Sequence, residues 1–140
     1  MSTVKDLLAR KGTAVISVAP GDTVLAAANV MNDKGIGGVV VMTGATLVGI
    51  FTERDIMRRV VAASRDPATT LVSDVMTADP MTITAEMQVA ACRAMMSARR
   101  VRHLPVVHDG TLVGVVTSGD VLAFEVVQAE AQIEQLRREL

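Results

Sequence analysis

Threonine and aspartate three positions apart occur twice in matching context, in "GIFTERD" from Gly49 to Asp55 and in "GVVTSGD" from Gly114 to Asp120. Each pair follows an apolar, β-branched run and opens a segment of helical spacing, so each reads as a strand-to-helix corner. Thr52 with Asp55, and Thr117 with Asp120, have the form of a capping box with aspartate in the usual glutamate position. Capping alone accounts for one such pair. Two pairs support a second reading, in which the carboxylate on the first turn accepts hydrogen bonds from two vicinal hydroxyls. The threonine hydroxyl and the N–H groups of the helix start suit a phosphate. A ribose phosphate would satisfy both. The glycine ahead of each pair, Gly49 or Gly114, admits close approach by another backbone or by a ligand.

Other site chemistry is missing from the sequence. One cysteine and two histidines, His103 and His108, do not make a zinc set. "GIGGVVV" lacks the spacing of a dinucleotide-binding loop, and no G-x-x-x-x-G-K-[ST] phosphate loop occurs. There is no G-x-S-x-G elbow and no Cys/His pair suited to nucleophilic catalysis. The chain therefore reads as non-enzymatic, with no catalytic cofactor and no metal. Its net charge of −1, without a charged tail, gives no general attraction to nucleic acid or to an anionic membrane. With no Trp, no Tyr and two Phe, a flat ligand would lie between aliphatic side chains. The same poverty argues against single-stranded nucleic acid at the Arg99, Arg100, Arg102 and His103 loop. "MSTVKDLLARKG" lacks the apolar stretch of a signal peptide, and no uncharged apolar run approaches the roughly 20 residues of a membrane span. The expectation is a soluble, cytoplasmic protein in which Cys92 is a small buried thiol.

The elements that position the two corners form a repeat. Sixty-five positions separate Val24, Met31, Val41, Thr46, Leu47, Val48, Gly49, Thr52 and Asp55 from Val89, Met96, Val106, Thr111, Leu112, Val113, Gly114, Thr117 and Asp120. Upstream, "VKDLL" matches "VSDVM" at an offset of sixty-eight, so the first copy is three residues longer around "ARKGTAV". A period this long predicts two small domains rather than a solenoid. Each copy reads β-α-β-β-α, an α/β (α+β) pattern. A short strand precedes a helix whose apolar face runs through Val24, Ala27, Ala28 and Met31, or through Val89, Cys92 and Met96. Arg93 interrupts the second face and can snorkel to its edge. Asp22 or Thr23 is a cap, and Gly35 a stop. A hairpin with Gly-containing turns follows. A second helix then runs from Glu53 to about Ser64, and its counterpart starts at Ser118. Pro105 suits a strand start or an edge. The boundaries are 4–63 for the first repeat, 64–70 for a linker, 71–126 for the second repeat and 127–140 for a helical extension. There Val126, Ala129, Ile133, Leu136 and Leu140 form an apolar seam.

With the doubled "G-h-h-T-x-x-D", the preceding "RHLPVV" and the "V-x-D-h-M" lead-in, the chain resembles tandem cystathionine-β-synthase (CBS) domains, the pair often called a Bateman module. The resemblance covers about Val4 to Val126. It implies two pseudo-twofold-related domains with clefts that bind adenosine compounds: AMP, ADP, ATP, NAD(H) or S-adenosylmethionine. It further implies that Asp55 and Asp120 hold ribose hydroxyls, and that Thr52 and Thr117 bond ribose or α-phosphate. Ile16, Ser17 and Val18, with Thr82 and Ile83, would wall the adenine and offer backbone hydrogen bonds. Ile36, Gly37, Gly38 and Val39, with Arg102, His103, Leu104 and Pro105, would complete the pockets.

The copies differ where charge matters. "GIGG" (Gly35 to Gly38) faces "RVRH" (Arg100 to His103), and Glu53-Arg54 faces Ser118-Gly119. Arg102 and His103, joined by Arg54 and Arg100, are candidate phosphate ligands, so the two sites are expected to be unequal. The function expected is an adenine-nucleotide sensor (AMP, ATP or NAD(H)) that reports energy or redox state to a regulated protein partner. Homodimerisation through helices is expected, with Met31, Met57, Met95, Met96 and the C-terminal seam as dimer surface or core. A ligand-free interaction scaffold, whose motifs are only caps, is the alternative from another class.

Overall fold

A computed structural model describes residues 1–140. They form two compact units, one of Ala14–Met81 with Asp109–Leu112, the other of Met1–Thr13, Thr82–His108 and Val113–Leu140. The chain begins with α1 (Val4–Lys11), which belongs to the second of these.

In the first unit, β1 (Ser17–Val18) leads into α2 (Val24–Lys34). Thr23 caps α2 by accepting the Ala26 N–H at 3.1 Å, and Gly35 ends it at φ 64°, a conformation open to glycine. The carboxylate of Asp22, the other candidate cap, instead takes the Ala19 N–H at 2.9 Å. A hairpin of β2 (Gly38–Thr43) and β3 (Thr46–Thr52) follows. β3 passes into α3 (Glu53–Asp55), which continues as a π-helical stretch, Ile56–Val61. The helical run thus stops short of the expected Ser64, which adopts a positive φ of 57°. After the linker come α4 (Val72–Val75) and β4 (Thr77–Ala78), giving a sheet of order β1-β2-β3-β4 in which only β1 and β2 are parallel. Val24, Ala27 and Met31 of α2 pack with Val39, Val41, Phe51, Val60, Val72 and Val75 in one core.

The second unit repeats this plan with fewer paired residues. Its first strand shrinks to one parallel bridge, Ile83 to Val106. Then follow α5 (Val89–Arg99), β5 (His103–His108), β6 (Thr111–Thr117) and the long α6 (Ser118–Glu139). Positive φ at Asp109 and Gly110 makes the tight β5–β6 turn. Arg100 occupies the left-handed position that Gly35 fills in the first copy. Pro105 lies inside β5, buried, not at its start; its carbonyl accepts the Ile83 N–H at 2.9 Å, so the missing N–H does not break that pairing.

The lead-in helices are exchanged between repeats. Val4, Leu7 and Leu8 of α1 share a core with Val89, Cys92, Met96, Val116, Val121 and Phe124. Val72 and Val75, which precede the second repeat, join the first repeat's core. Matching antiparallel bridges fix the exchange, Thr3 to Gln88 and Thr23 to Leu71. A repeat in sequence, running from its own lead-in helix, is therefore not the same set of residues as a folded unit.

Met31 and Met96 are core residues and Met95 packs against the core, which leaves Met57 exposed. Arg93 is paired with Glu125 of α6 at 3.1 Å. Cys92 is fully buried, and burial pushes its thiol pKa up, as for a packing residue rather than a nucleophile. The last turns of α6 expose Val126, Ile133 and Leu136. No helix is long and apolar enough to cross a membrane.

Candidate functional site

Both Thr–Asp pairs form complete capping boxes. At the first corner Asp55 Oδ2 accepts the Thr52 N–H at 3.0 Å, and Thr52 Oγ1 accepts the Asp55 N–H at 3.4 Å. At the second, Asp120 Oδ2 accepts the Thr117 N–H at 2.9 Å, and Thr117 Oγ1 accepts the Asp120 N–H at 3.1 Å. The cap engages one carboxylate oxygen, Oδ2, in each case. Capping and diol binding are therefore compatible, because a carboxylate has about four lone-pair sites on two oxygens.

The helix starts are less open to an anion than the sequence suggests. The Glu53 N–H donates to the Gly37 carbonyl and the Ser118 N–H to the Arg102 carbonyl, each at 2.9 Å. With the Asp N–H groups held by threonine, two of the first three amides at each corner are engaged within the protein. A phosphate at either corner would therefore have to be held mainly by side chains.

The same bonds bring the predicted residues of each copy together. Gly38 pairs with Thr52 across the first hairpin, and Ser17 and Val18 pair with Val40 and Val41. β1, the start of β2 that follows Ile36 and Gly37, and the end of β3 at Thr52 thus belong to one sheet, with Asp55 on the helix that β3 runs into. Around Arg102, the exposed Arg102 and half-buried His103 sit beside Ser118, while Leu104 and Pro105 are buried. The Thr82–Ile83 segment, expected to wall a base, has fewer backbone groups to offer than expected. Ile83 uses both its N–H and its carbonyl on β5, at 2.9 Å each, so a backbone contact to a base from that segment must come from Thr82. Ile16, Ile36 and Gly37 are half-buried and Arg54 is exposed at the corner it follows.

The repeated glycines have a structural cause. A Cβ on Gly114 would lie 2.9 Å from Leu8 Cδ2, and one on Gly49 would lie 2.6 Å from Met76 Sδ and 2.9 Å from the Thr77 carbonyl oxygen. Leu8 and Met76 are equivalent residues of the two exchanged lead-ins. Each glycine is thus the seat of a lead-in segment; a neighbouring chain segment, rather than a ligand, fills the space.

Two cations escaped the sequence reading. Arg59 lies one helical turn beyond Asp55, with Nε 3.7 Å from Oδ1, a spacing of four that could have been noticed. Its guanidinium donates to the Met76 carbonyl at 2.9 Å and the Val75 carbonyl at 3.3 Å. Lys11 places its ammonium on Asp120 Oδ2 and on the Val115 carbonyl, the latter at 2.8 Å. The only signal for it was the three-residue excess of the first lead-in. No group of three or more His, Cys, Asp or Glu side chains is placed to hold a metal ion.

The sequence model described as the CBS domain matches residues 4–62 and 72–126. A mitochondrial CBS domain-containing protein of Arabidopsis thaliana is 31% identical over 96% of this chain and 70% of its own length. Among solved structures, a putative signal-transduction protein with CBS domains from Burkholderia ambifaria is 34% identical with a TM-score of 0.86, covering 90% of this chain and 95% of that one. A CBS domain pair solved in complex with 5′-methylthioadenosine and S-adenosyl-L-methionine is 26% identical with a TM-score of 0.77, over 88% of this chain and 98% of that one. Two equivalent Thr–Asp corners on two βαββα repeats and these likenesses converge: the chain belongs to the CBS-domain family and carries two copies of the domain in tandem.

Proposed function

We propose that this protein is a non-catalytic sensor of adenine nucleotides, AMP, ATP or NAD(H), that reports energy or redox state to a regulated protein. The observation that carries this reading is the paired corner. In each unit a carboxylate, a threonine hydroxyl and the start of a neighbouring strand are held together by short backbone bonds. The adenosine ligands of the related domain pair support the ligand class and keep S-adenosylmethionine as an alternative. Asp55 and Asp120 take ribose hydroxyls in this reading. Arg102 and His103 serve phosphate at the second corner and Arg54 at the first, which makes the two corners unequal.

Complete capping boxes at both corners favour the rival scaffold reading, and one experiment separates the two. Ligand at a hundred times its Kd stabilises a binder by about 2.7 kcal/mol, on the order of 10 °C in Tm for a chain of this size. Melting with saturating AMP, ATP, NADH and S-adenosylmethionine is expected to show such a rise for at least one of them. The absence of Trp and Tyr also makes a nucleotide absorbance band on the purified protein easy to see. No rise with any ligand, and no adenine on the purified protein, would leave a scaffold whose motifs only cap helices. We further propose a homodimer that covers the exposed α6 seam. Sedimentation of the chain as a monomer at micromolar concentration would refute that part.

A further inference from the structure

The two corners differ in how a cation meets the carboxylate. At the first, the Arg59 guanidinium is held to the carbonyls of Val75 and Met76, and its Nε stays 3.7 Å from Asp55. At the second, the Lys11 ammonium lies on Asp120 itself, anchored also by the Val115 carbonyl. Chain length produces the difference. α4 ends at Val75 and only Met76 separates it from β4, whereas α1 continues past the equivalent Leu7 through Leu8, Ala9, Arg10 and Lys11 before Gly12 closes it at φ 97°. The extra residues "ARK" therefore add the turn whose last side chain reaches Asp120. The Lys11 side chain is 31% exposed.

We propose that Lys11 is a built-in occupant of the second corner: it holds the carboxylate that a vicinal diol would need, and a ligand binds there only by displacing it. This rests on the nucleotide reading above. Oδ2 of Asp120 already takes the Thr117 N–H and the Lys11 ammonium, so a diol that seeks both oxygens competes with the ammonium. At the first corner the cation, Arg59, pairs with Oδ1 of Asp55 only at 3.7 Å, beyond hydrogen-bond reach, and is held instead by the Val75 and Met76 carbonyls. The second corner is then the weaker site for an uncharged ribose. Once released, the ammonium becomes available to a phosphate, so Lys11 favours phosphorylated ligands over bare nucleosides.

The test uses the full chain with Asp55→Asn, so that the second corner dominates, titrated calorimetrically with adenosine and with AMP. Lys11→Met is expected to tighten adenosine about two- to fivefold, the range for breaking a partly exposed ion pair. Raising NaCl from about 50 to about 500 mM should tighten adenosine with Lys11 present and leave the Lys11→Met protein unchanged, because salt weakens only the internal pair. Lys11→Gln serves the same comparison should Lys11→Met fail to fold. Adenosine affinity that is equal or lower in the variant, while AMP still binds, would overturn the proposal and leave the nucleotide reading intact. No binding of either ligand to any of the proteins, including the unmutated chain, would overturn both.

Discussion

Asp55→Ala is expected to weaken nucleotide binding at the first corner by about ten- to a hundredfold, and Asp120→Ala to do the same at the second. The magnitude follows from hydrogen bonds to a charged carboxylate, each worth about 1.5–3 kcal/mol, with tenfold in Kd for every 1.4 kcal/mol. Asp55 is the stronger case because it is only 8% exposed and its cation, Arg59, stays 3.7 Å away, whereas Lys11 is bonded directly to Asp120. Either alanine also removes half of a capping box, at a stability cost of about 1 kcal/mol. Asn replacements separate the effects: an amide oxygen can still accept the Thr52 or Thr117 N–H, but it lacks the charge that strengthens the diol bonds. Calorimetry should therefore show weakened binding in Asp55→Asn and Asp120→Asn with melting temperatures close to the unmutated chain. Unchanged affinity for AMP, ATP and NADH in both alanine variants would remove these carboxylates from the site.

Alanine at Gly49 is expected to destabilise the fold more than alanine at Gly114. Overpacking of a filled core costs about 1–3 kcal/mol, and the two positions should fall at opposite ends of that range. At Gly114 the new methyl meets only the Leu8 side chain, whose terminal carbons can turn aside. At Gly49 it meets Met76 Sδ, which can move, and the Thr77 carbonyl, which is backbone in a strand paired to β3. Urea denaturation of the two variants measures the difference. Leu8→Ala should recover part of the loss in Gly114→Ala, a coupling that a double-mutant cycle isolates. Met76→Ala should recover little in Gly49→Ala, because the carbonyl remains. Equal losses, or additive ones in the Leu8 cycle, would contradict the seat assigned to these glycines.

The fold class, the repeat and both corners were legible because each leaves a local signature: hydrophobic period, β-branched runs, a Thr–Asp spacing of three. The exchange of α1 and α4 was not, since two equivalent lead-ins carry the same apolar pattern whichever core receives them. The role of Gly49 and Gly114 was half legible; close approach was readable, and the approaching groups, Met76 and Leu8, were not. The helix starts looked open because sequence does not show that the Gly37 and Arg102 carbonyls take the first amides. Pro105 sits in the body of β5 rather than at its start, but β5 is an edge of a two-stranded sheet, as the missing N–H requires, and the proline carbonyl still takes the Ile83 N–H. Lys11 was hidden most deeply. Its partner lies 109 positions away, and only a lead-in helix longer than its counterpart, eight residues against four, brings the two together.

The exchanged lead-in also sets an order of events during synthesis. Residues Ala14–Met81 contain almost the whole of one unit, so its core can close soon after Met81 has left the ribosome. α1 emerges ahead of α2 to α6, yet its buried partners run from Ile83 to Phe124. Until those partners are made Val4, Leu7 and Leu8 lack the core they pack into, and an eight-residue helix is not stable alone in water. A segment made ahead of all its partners is thus among the last of its unit to be ordered, through contacts of the long sequence separation that slows folding.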